Sequence, residues 1–331
     1  MFSSIKNTLK KLSGISRLVA DRDRLRLELD EITRQRNALH TQRDEINAEL
    51  IALKRNQGFV PAGHFYSPIP CFDEIKNDEK RIFGNIPQTV MGVELNDKEQ
   101  LQLLHKFIDY YKDMPFQAEK QEGLRYYYEN TAFSYSDGIL LHCMIRDLKP
   151  RRIIEVGSGF SSCMILDTNE LFFEDSITTT FIEPYPELLM SLVKDMDKSR
   201  IKTIPSRLQD VDLSEFDALH ANDILFIDST HVSKIDSDVN RIIFDILPRL
   251  SDGVYVHFHD IFFPFEYPKE WVFEGRAWNE TYLLKAFLQF NKSFRIVLMN
   301  TYMENYHQPF FAENLPLCLK NPGGSIWIRK G

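Results

Sequence analysis

The stretch "RRIIEVGSGFSS", residues 151–162, decides the fold. Its run Ile153–Val156 is short and mainly apolar, which is typical of a buried strand. Gly157 and Gly159 follow in a tight turn, and a helix is predicted to begin near Phe160. A strand, a glycine turn and a helix in this order indicate the first unit of an α/β fold.

Strands and helices alternate after this stretch. The helical segments between the first five strands predict a mostly parallel, doubly wound Rossmann-like sheet with helices on both faces. A long loop without a clear helix separates the last two strands, so we expect these two to pair antiparallel. The strand-like runs are 153–156, 178–183, 201–204, 223–228, 254–260, 294–300 and 325–330.

The glycine turn points to a ligand at the carboxyl end of the first strand, where ligands bind in doubly wound sheets. Its glycines let the backbone approach a ligand closely, and the N–H groups of the turn, including that of Ser158, can face it. A dinucleotide fingerprint would need a third glycine where Ser162 stands. Glu155 beside the turn would repel a pyrophosphate and suit a cationic ligand such as S-adenosylmethionine. An ordinary turn that happens to contain two glycines is the alternative.

The next two strand ends supply polar groups for the rest of such a ligand. Glu183 ends the second strand, 24 residues after Gly159, where an acidic side chain reaches the two hydroxyls of a ribose. A carboxylate that only favours a helix N-terminus is the alternative. After the third strand, Gln209 and then Asp210 are the candidates to border an adenine ring.

Acidic and imidazole side chains follow the fourth and fifth strands. Asp228 and His231 come after the fourth, and His259 and Asp260 end the fifth, with His257 on the same face as His259. Asp228, His259 and Asp260 could hold a divalent metal ion. Otherwise His231 or His259 could act as a general base that Asp228 orients.

An aromatic run, residues 262–273, follows this corner and is itself followed by Arg276 and Trp278. It predicts a lid and a substrate-contacting wall. A hydrophobic loop that merely covers the edge of the sheet is the alternative.

The N-terminal part repeats with a period of seven residues. Read as a heptad, it predicts a coiled coil and hence a homo-oligomer, in which the arginines of the seam restrict register and oligomer number. A single solvated helix with ion pairs four residues apart is the alternative. The d positions are Leu18, Leu25, Ile32, Leu39, Ile46 and Leu53, and the a positions are Arg22, Leu29, Arg36, Arg43 and Leu50.

The segment before the heptads carries Phe2, Ile5, Leu9 and Leu12 at helical spacing among basic residues, which suits either a helix on a membrane surface or a lead-in to the coil.

The patterns along the chain predict three regions. These are the helix at 1–57, a connector and helical cap at 58–130, with 97–130 helical, and the α/β domain at 131–331.

Charge and hydropathy argue against a nucleic-acid-binding, a membrane-spanning and a secreted protein. The net charge of -8 argues against a protein that binds nucleic acid through phosphate neutralisation. No apolar run is long enough to span a bilayer, and the N-terminus lacks the pattern of a signal peptide, so the sequence predicts a cytoplasmic protein.

Taken together, these residues resemble the class I S-adenosylmethionine-dependent methyltransferases. The resemblance implies a seven-stranded sheet of order 3-2-1-4-5-7-6 with an antiparallel seventh strand. It also implies that Gly157 and Gly159 line the methionine part of the cofactor, Glu183 the ribose and Gln209 the adenine. The motifs that carry it are "IIEVGSGFSS", "FIEPYPELL", "LFIDSTH", "GVYVHFHDI" and "GGSIWIRK".

Within that class the spacing is most similar to O-methyltransferases that act on small molecules or sugars. The metal-dependent members carry an acid where Asp228 and Asp260 stand, but His259 occupies the place of a further acid. Three other functions remain open: a nicotinamide-dependent oxidoreductase, a methyltransferase-like hydroxylase with a remodelled site, and a non-catalytic assembly module built on the coiled coil.

Overall fold

The structure is a computed structural model that describes the backbone of residues 2–56 and 58–331 and the side chains of residues 15–51 and 58–331. Two compact units, residues 1–73 and 74–331, make up the chain. The helices are α1 (Phe2–Asn56), α2 (Phe72–Asn77), α3 (Glu79–Phe83), α4 (Asp97–Lys112), α5 (Tyr135–Leu148), α6 (Phe160–Phe173), α7 (Glu187–Leu192), α8 (Ser214–Asp217), α9 (Asp238–Arg241), α10 (Lys269–Phe273), α11 (Glu280–Leu288), α12 (Asn300–Tyr306) and α13 (Gln308–Asn314). The strands are β1 (Arg152–Val156), β2 (Thr178–Ile182), β3 (Lys202–Ile204), β4 (Ile224–Ile227), β5 (Tyr255–His259), β6 (Phe294–Met299) and β7 (Ser325–Lys330).

The seven strands form one sheet of order β3-β2-β1-β4-β5-β7-β6, which confirms the predicted fold class and strand order. The first five strands run parallel, and β7 pairs antiparallel with both β5 and β6. All four residues of β4 are buried, as expected for a central parallel strand covered on both faces. The carboxyl ends of β1, β2, β4 and β5 therefore meet along one edge.

The connection between β6 and β7 differs from the prediction of a loop without a clear helix. It contains α12 and α13, followed by a 3₁₀ turn at Pro316–Lys320. Met303 and Phe311 are fully buried, so these short helices contribute to the core. Because each helix has only seven residues and polar side chains between its apolar ones, neither produces a long periodic pattern in the sequence.

The prediction that residues 97–130 are helical holds only for α4, which ends at Lys112. Pro115 and Gly123 interrupt the helical pattern beyond it. A buried ionic cluster orders this irregular segment instead. The guanidinium of Arg125 lies 2.5 Å from Asp197, 2.6 Å from Asp167 and 2.8 Å from Glu170, and only 2% of it is exposed.

The first unit contains α1. All side chains of residues 15–51 are exposed except that of Thr33, which is partly buried. The side chains of the predicted membrane-surface stretch, Phe2, Ile5, Leu9 and Leu12, lie outside the described residues. Among the residues that the structure describes, no helix is both long and apolar enough to cross a membrane.

Candidate functional site

The turn after β1 is held between β2 and β4. The N–H of Gly157 donates to the carbonyl of Ile182 at 3.0 Å, and the N–H of Asp228 donates to the carbonyl of Val156 at 2.9 Å. Gly157 has φ +82°, and a Cβ atom there would lie 1.8 Å from the carbonyl oxygen of Asp228. The close approach of Asp228, at the end of β4, therefore requires glycine at this position, and the contact of Gly157 with a cofactor stays a prediction.

The carboxylate of Glu155 is buried against the first turn of α6, and the prediction that it attracts a cationic cofactor stays a prediction. Its side chain is fully buried, and its two oxygens accept hydrogen bonds from Ser161 at 2.5 Å and Ser162 at 2.6 Å. Burial raises its pKa to about 8, against the favourable effect of the two hydroxyls. Glu155 thus ties β1 to the first turn of α6. The sequence could not show this contact, because the alternation of side chains between the two faces of β1 does not tell which face is covered by α6.

Glu183 and the glycine turn lie side by side at the ends of β2 and β1. One oxygen of Glu183 accepts the N–H of Tyr185 at 2.9 Å, and the other accepts the N–H of Ser158 at 3.3 Å. Each oxygen keeps a further lone pair. A Cβ atom on Gly159 would touch only the side chain of Leu188, at 3.8 Å. The turn is therefore open on the side of Gly159.

Two hydroxyl groups beside this turn lack hydrogen-bond partners. The Oγ atoms of Ser158, after β1, and Ser229, after β4, are both buried without a partner among the described residues. Buried polar atoms are normally satisfied, so this orphaned pair at adjacent strand ends marks a place where water or a polar ligand can bind. Ser229 was not among the residues that sequence analysis selected.

The two residues predicted to border an adenine ring have different surroundings. Gln209 is partly buried, and its amide nitrogen donates to the carbonyl of Asp236 at 2.7 Å. Asp210 is exposed and forms an ion pair with Arg207 at 2.9 Å. Gln209 can therefore contact a bound ring through its remaining groups, whereas the Asp210 carboxylate points to a surface partner.

Asp228, His259 and Asp260 converge at the ends of β4 and β5. Each offers one ligand atom, and these three atoms lie within 4.8 Å of one another. Burial alone would raise the pKa of Asp228, but the imidazoles of His259 and His231 outweigh it and lower the pKa. Burial raises the pKa of Asp260. Two carboxylates and an imidazole at this separation have the chemistry of a divalent metal site.

His231 completes this corner through a contact that the sequence did not reveal. Its Nδ1 lies 2.8 Å from a carboxylate oxygen of Glu280, at the start of α11, and its Nε2 lies 3.4 Å from Asp228 and 3.5 Å from Asp260. Burial disfavours its charged form, but the bonds to Asp228 and Glu280 outweigh burial and raise its pKa to about 10. Both ring nitrogens face carboxylates, which favours the protonated ring, and the role of His231 as a general base stays a prediction.

His257 shares a face with His259, as predicted, but its environment is apolar. Its ring stacks on Phe226 at 4.1 Å between centroids and packs edge-on against Trp327 at 4.7 Å. Burial lowers its pKa well below the usual range, and neither ring nitrogen has a partner among the described residues. His257 is therefore a neutral core residue beneath the site.

The aromatic segment is linked to this corner through Trp278. The indole of Trp278 packs 4.5 Å from the ring of His231, and Trp271 packs edge-on against Trp278 at 5.4 Å. The guanidinium of Arg276 lies 4.1 Å above the Trp271 ring and pairs with Glu274 at 2.9 Å. This contact supports the expectation that the segment forms a wall of the site.

Comparisons with known proteins agree with this architecture. A family model described as a methyltransferase domain matches residues 154–261, which run from β1 past the end of β5. An uncharacterized protein of Archaeoglobus fulgidus is 36% identical over 167 residues, or 49% of this chain and 74% of that protein.

Solved structures of low sequence identity also resemble the chain. The methyltransferase PaMTH1 of Podospora anserina, bound to S-adenosylhomocysteine, has a TM-score of 0.39 and 14% identity, covering 78% of this chain and 95% of its own. The O-methyltransferase TomG of Streptomyces achromogenes has a TM-score of 0.41 and 16% identity, covering 72% and 91%. An O-methyltransferase of Bacillus cereus has a TM-score of 0.38 and 11% identity, covering 71% and 92%.

Proposed function

The chain belongs to the class I S-adenosylmethionine-dependent methyltransferases, and we propose that it methylates a hydroxyl oxygen of a small molecule or a sugar. In this proposal Asp228, His259 and Asp260 hold a divalent ion beside the acceptor. The observation that carries it is the convergence of these three side chains within 4.8 Å at the carboxyl ends of β4 and β5.

The residues around the glycine turn fit the cofactor. The free lone pairs of Glu183 can accept hydrogen bonds from the ribose hydroxyls, and the orphaned hydroxyls of Ser158 and Ser229 can bind the polar amino-acid end. The open side of Gly159 leaves room for close approach to the turn. When bound, S-adenosylmethionine supplies an electrophilic methyl group on a sulfonium. Glu155 contributes indirectly, by holding the turn in place.

The donor set at the acceptor corner fits a divalent ion with a nitrogen ligand. Magnesium prefers oxygen ligands, so the imidazole of His259 favours manganese, iron or zinc. When bound, such an ion would lower the pKa of an acceptor hydroxyl and stabilise its oxyanion. His231 lies 3.4 Å from Asp228 and 3.5 Å from Asp260, so a proton on its Nε2 would offset part of the negative charge of these two carboxylates.

His231 and Glu280 orient this corner. The Glu280 carboxylate fixes the Nδ1 proton of His231, and the Nε2 proton then faces the two aspartates. This arrangement holds both carboxylates in one orientation, as hydrogen-bonded partners commonly do around metal ligands. His231 is thereby a positioning residue and a hydrogen-bond donor.

The lid supplies the acceptor surface. Trp278 and Trp271 present apolar rings, and Arg276 adds a fixed cation beside them. Aromatic faces with a neighbouring donor suit the apolar face and hydroxyl groups of a sugar or of an aromatic ring. Trp278 and Arg276 are therefore the proposed acceptor-contacting residues.

Direct metal binding tests the proposal without knowledge of the acceptor. Titration calorimetry with Mn²⁺ should show one site in the native chain and at least a tenfold weaker site in Asp260→Asn. Asp252→Asn, which alters an exposed aspartate, should leave the site unchanged. Equal Mn²⁺ affinity in all three proteins would refute the metal site.

Turnover then separates two ways of removing the acceptor proton. Release of S-adenosylhomocysteine would be measured with a panel of catechols, hexoses and nucleotide sugars, after chelation and with single metals restored. Activity that returns only with a metal supports the proposed site. Full activity in chelator, lost in His259→Ala, would instead assign the proton to His259, whose Nδ1 has no partner among the described residues.

A further inference from the structure

Residues 15–51 of the long helix α1 carry an apolar stripe that no described residue covers. Among residues 15–51, the five side chains at the predicted d positions are between 56% and 70% exposed. They recur every seven residues without drift, so they would form one continuous stripe along a helix that supercoils slightly. These residues, which we call the d seam, are Leu18, Leu25, Ile32, Leu39 and Ile46.

Within residues 15–51, whose side chains the structure describes, the ion pairs of α1 are too few to stabilise a solitary helix. The described pairs that span a helical turn are Arg24–Asp21 at 3.6 Å, Arg24–Glu28 at 3.7 Å and Arg34–Glu31 at 3.1 Å. Exposed pairs of this kind each contribute about 0.3–0.5 kcal/mol. Burial of a single leucine or isoleucine contributes about 1.5–3 kcal/mol, so covering the d seam is the larger effect.

We propose that two copies of this chain pair along the d seam as a parallel, in-register, two-stranded coiled coil. The flanks of the seam have opposite charge. The g positions carry acidic or neutral residues, and the a and e positions carry the basic ones. The g residues are Asp21, Glu28, Gln35, Gln42 and Glu49; the basic residues at a and e are Arg22, Arg26, Arg36 and Arg43.

The orientation of the pair follows from this charge pattern. In a parallel pair, the g flank of one helix lies against the a and e flank of the other, so Asp21 meets Arg22 and Arg26 of the second copy. In an antiparallel pair, like flanks meet and the basic rows of the two copies face each other. Complementary flanks set the orientation of coiled coils, and like charges brought together weaken them.

The arginines of the seam also favour two strands over three or four. In a two-stranded coil an a position remains close to solvent, so the stems of Arg36 and Arg43 can cover the seam while their guanidinium groups reach water. Gln35 and Gln42 of the second copy can accept hydrogen bonds from them. A larger bundle would bury these charges at greater cost.

Light scattering on the full chain tests the pairing with a matched pair of variants. The native protein should have twice the mass of one chain. Leu25→Asp, on the d seam and 58% exposed, should halve that mass, whereas Leu27→Asp, on the outer face and 68% exposed, should not. A monomeric native protein, or a dimeric Leu25→Asp, would overturn the proposal.

Disulfide formation tests the orientation. The background would be Cys71→Ser, because Cys71 is partly exposed while the other three cysteines are buried. Leu39→Cys places two thiols opposite each other in a parallel pair and should cross-link fully on mild oxidation. Gln35→Cys, at a g position near the middle of the seam, would face itself only in an antiparallel pair. Cross-linking of Gln35→Cys, and not of Leu39→Cys, would overturn the parallel arrangement.

Discussion

Adding one methyl group to Gly157 should destabilise the second unit by about 3 kcal/mol. The alanine Cβ atom would lie 1.8 Å from the carbonyl oxygen of Asp228, so the ends of β1 and β4 must separate by more than about 1 Å. That movement weakens the hydrogen bonds from Gly157 to Ile182 and from Asp228 to Val156, at about 1 kcal/mol each. A left-handed backbone adds about 1 kcal/mol for alanine.

Gly159→Ala is the matched control, since the nearest atom to its Cβ would be 3.8 Å away and its φ of 177° is extended. Its free energy of unfolding should change by no more than about 1 kcal/mol. Under the proposed placement of the cofactor, however, its affinity for S-adenosylmethionine should fall at least tenfold.

Urea denaturation followed by tryptophan fluorescence gives the stabilities, and titration calorimetry gives the affinities. A free energy of unfolding for Gly157→Ala equal to that of the native protein would show that β1 and β4 can separate at little cost, and would refute the expected destabilisation. Native affinity in Gly159→Ala would place the cofactor away from the N-terminus of α6.

Two further predictions concern the carboxylates near the turn. Burial raises the pKa of Glu155 from 4.5 in the unfolded chain to about 8 in the folded one, so its contribution to stability is complete below pH 4.5 and is lost as the pH rises through 8. Between pH 4.5 and 9 the free energy of unfolding of the native protein should therefore fall by up to about 5 kcal/mol relative to that of Glu155→Gln. If urea denaturation gives the two proteins the same dependence of this free energy on pH, the prediction is wrong. Glu183→Ala should weaken binding of S-adenosylmethionine by about 1.5–3 kcal/mol in calorimetry, as expected for a charge-assisted hydrogen bond. Asp210→Asn should bind normally, and equal affinity in both variants would remove Glu183 from the ribose site.

The sheet and the convergence of Asp228, His259 and Asp260 were predictable because they depend on short-range patterns. Alternating strands and helices determine a parallel sheet, and the carboxyl ends of adjacent parallel strands must meet. The contact between His231 and Glu280 was not predictable in the same way. The two residues are 49 positions apart, and their meeting depends on the path of the lid between them.

The orientation of the Glu155 side chain could not be predicted from the sequence either. An acid near a glycine turn can face a ligand or the helix that follows, and the residues are the same in both cases. Only the bonds from Ser161 and Ser162 decide between them. Likewise, the close approach of Asp228 to Gly157 is a contact between two strands that are 71 residues apart, which no local pattern encodes.

The cluster around Arg125 has a consequence for how this sequence can diverge. Removing Arg125 alone would leave the buried carboxylates of Asp167 and Asp197 without their cation, while Glu170 would keep its ion pair with Lys194. Removing Asp167 or Asp197 would leave the buried Arg125 less well compensated. Replacing the whole group by apolar residues can be nearly neutral, although the single steps towards it are each harmful. The four positions should therefore show strong epistasis: homologues should keep the cluster intact or lack it altogether, and intermediates should be rare.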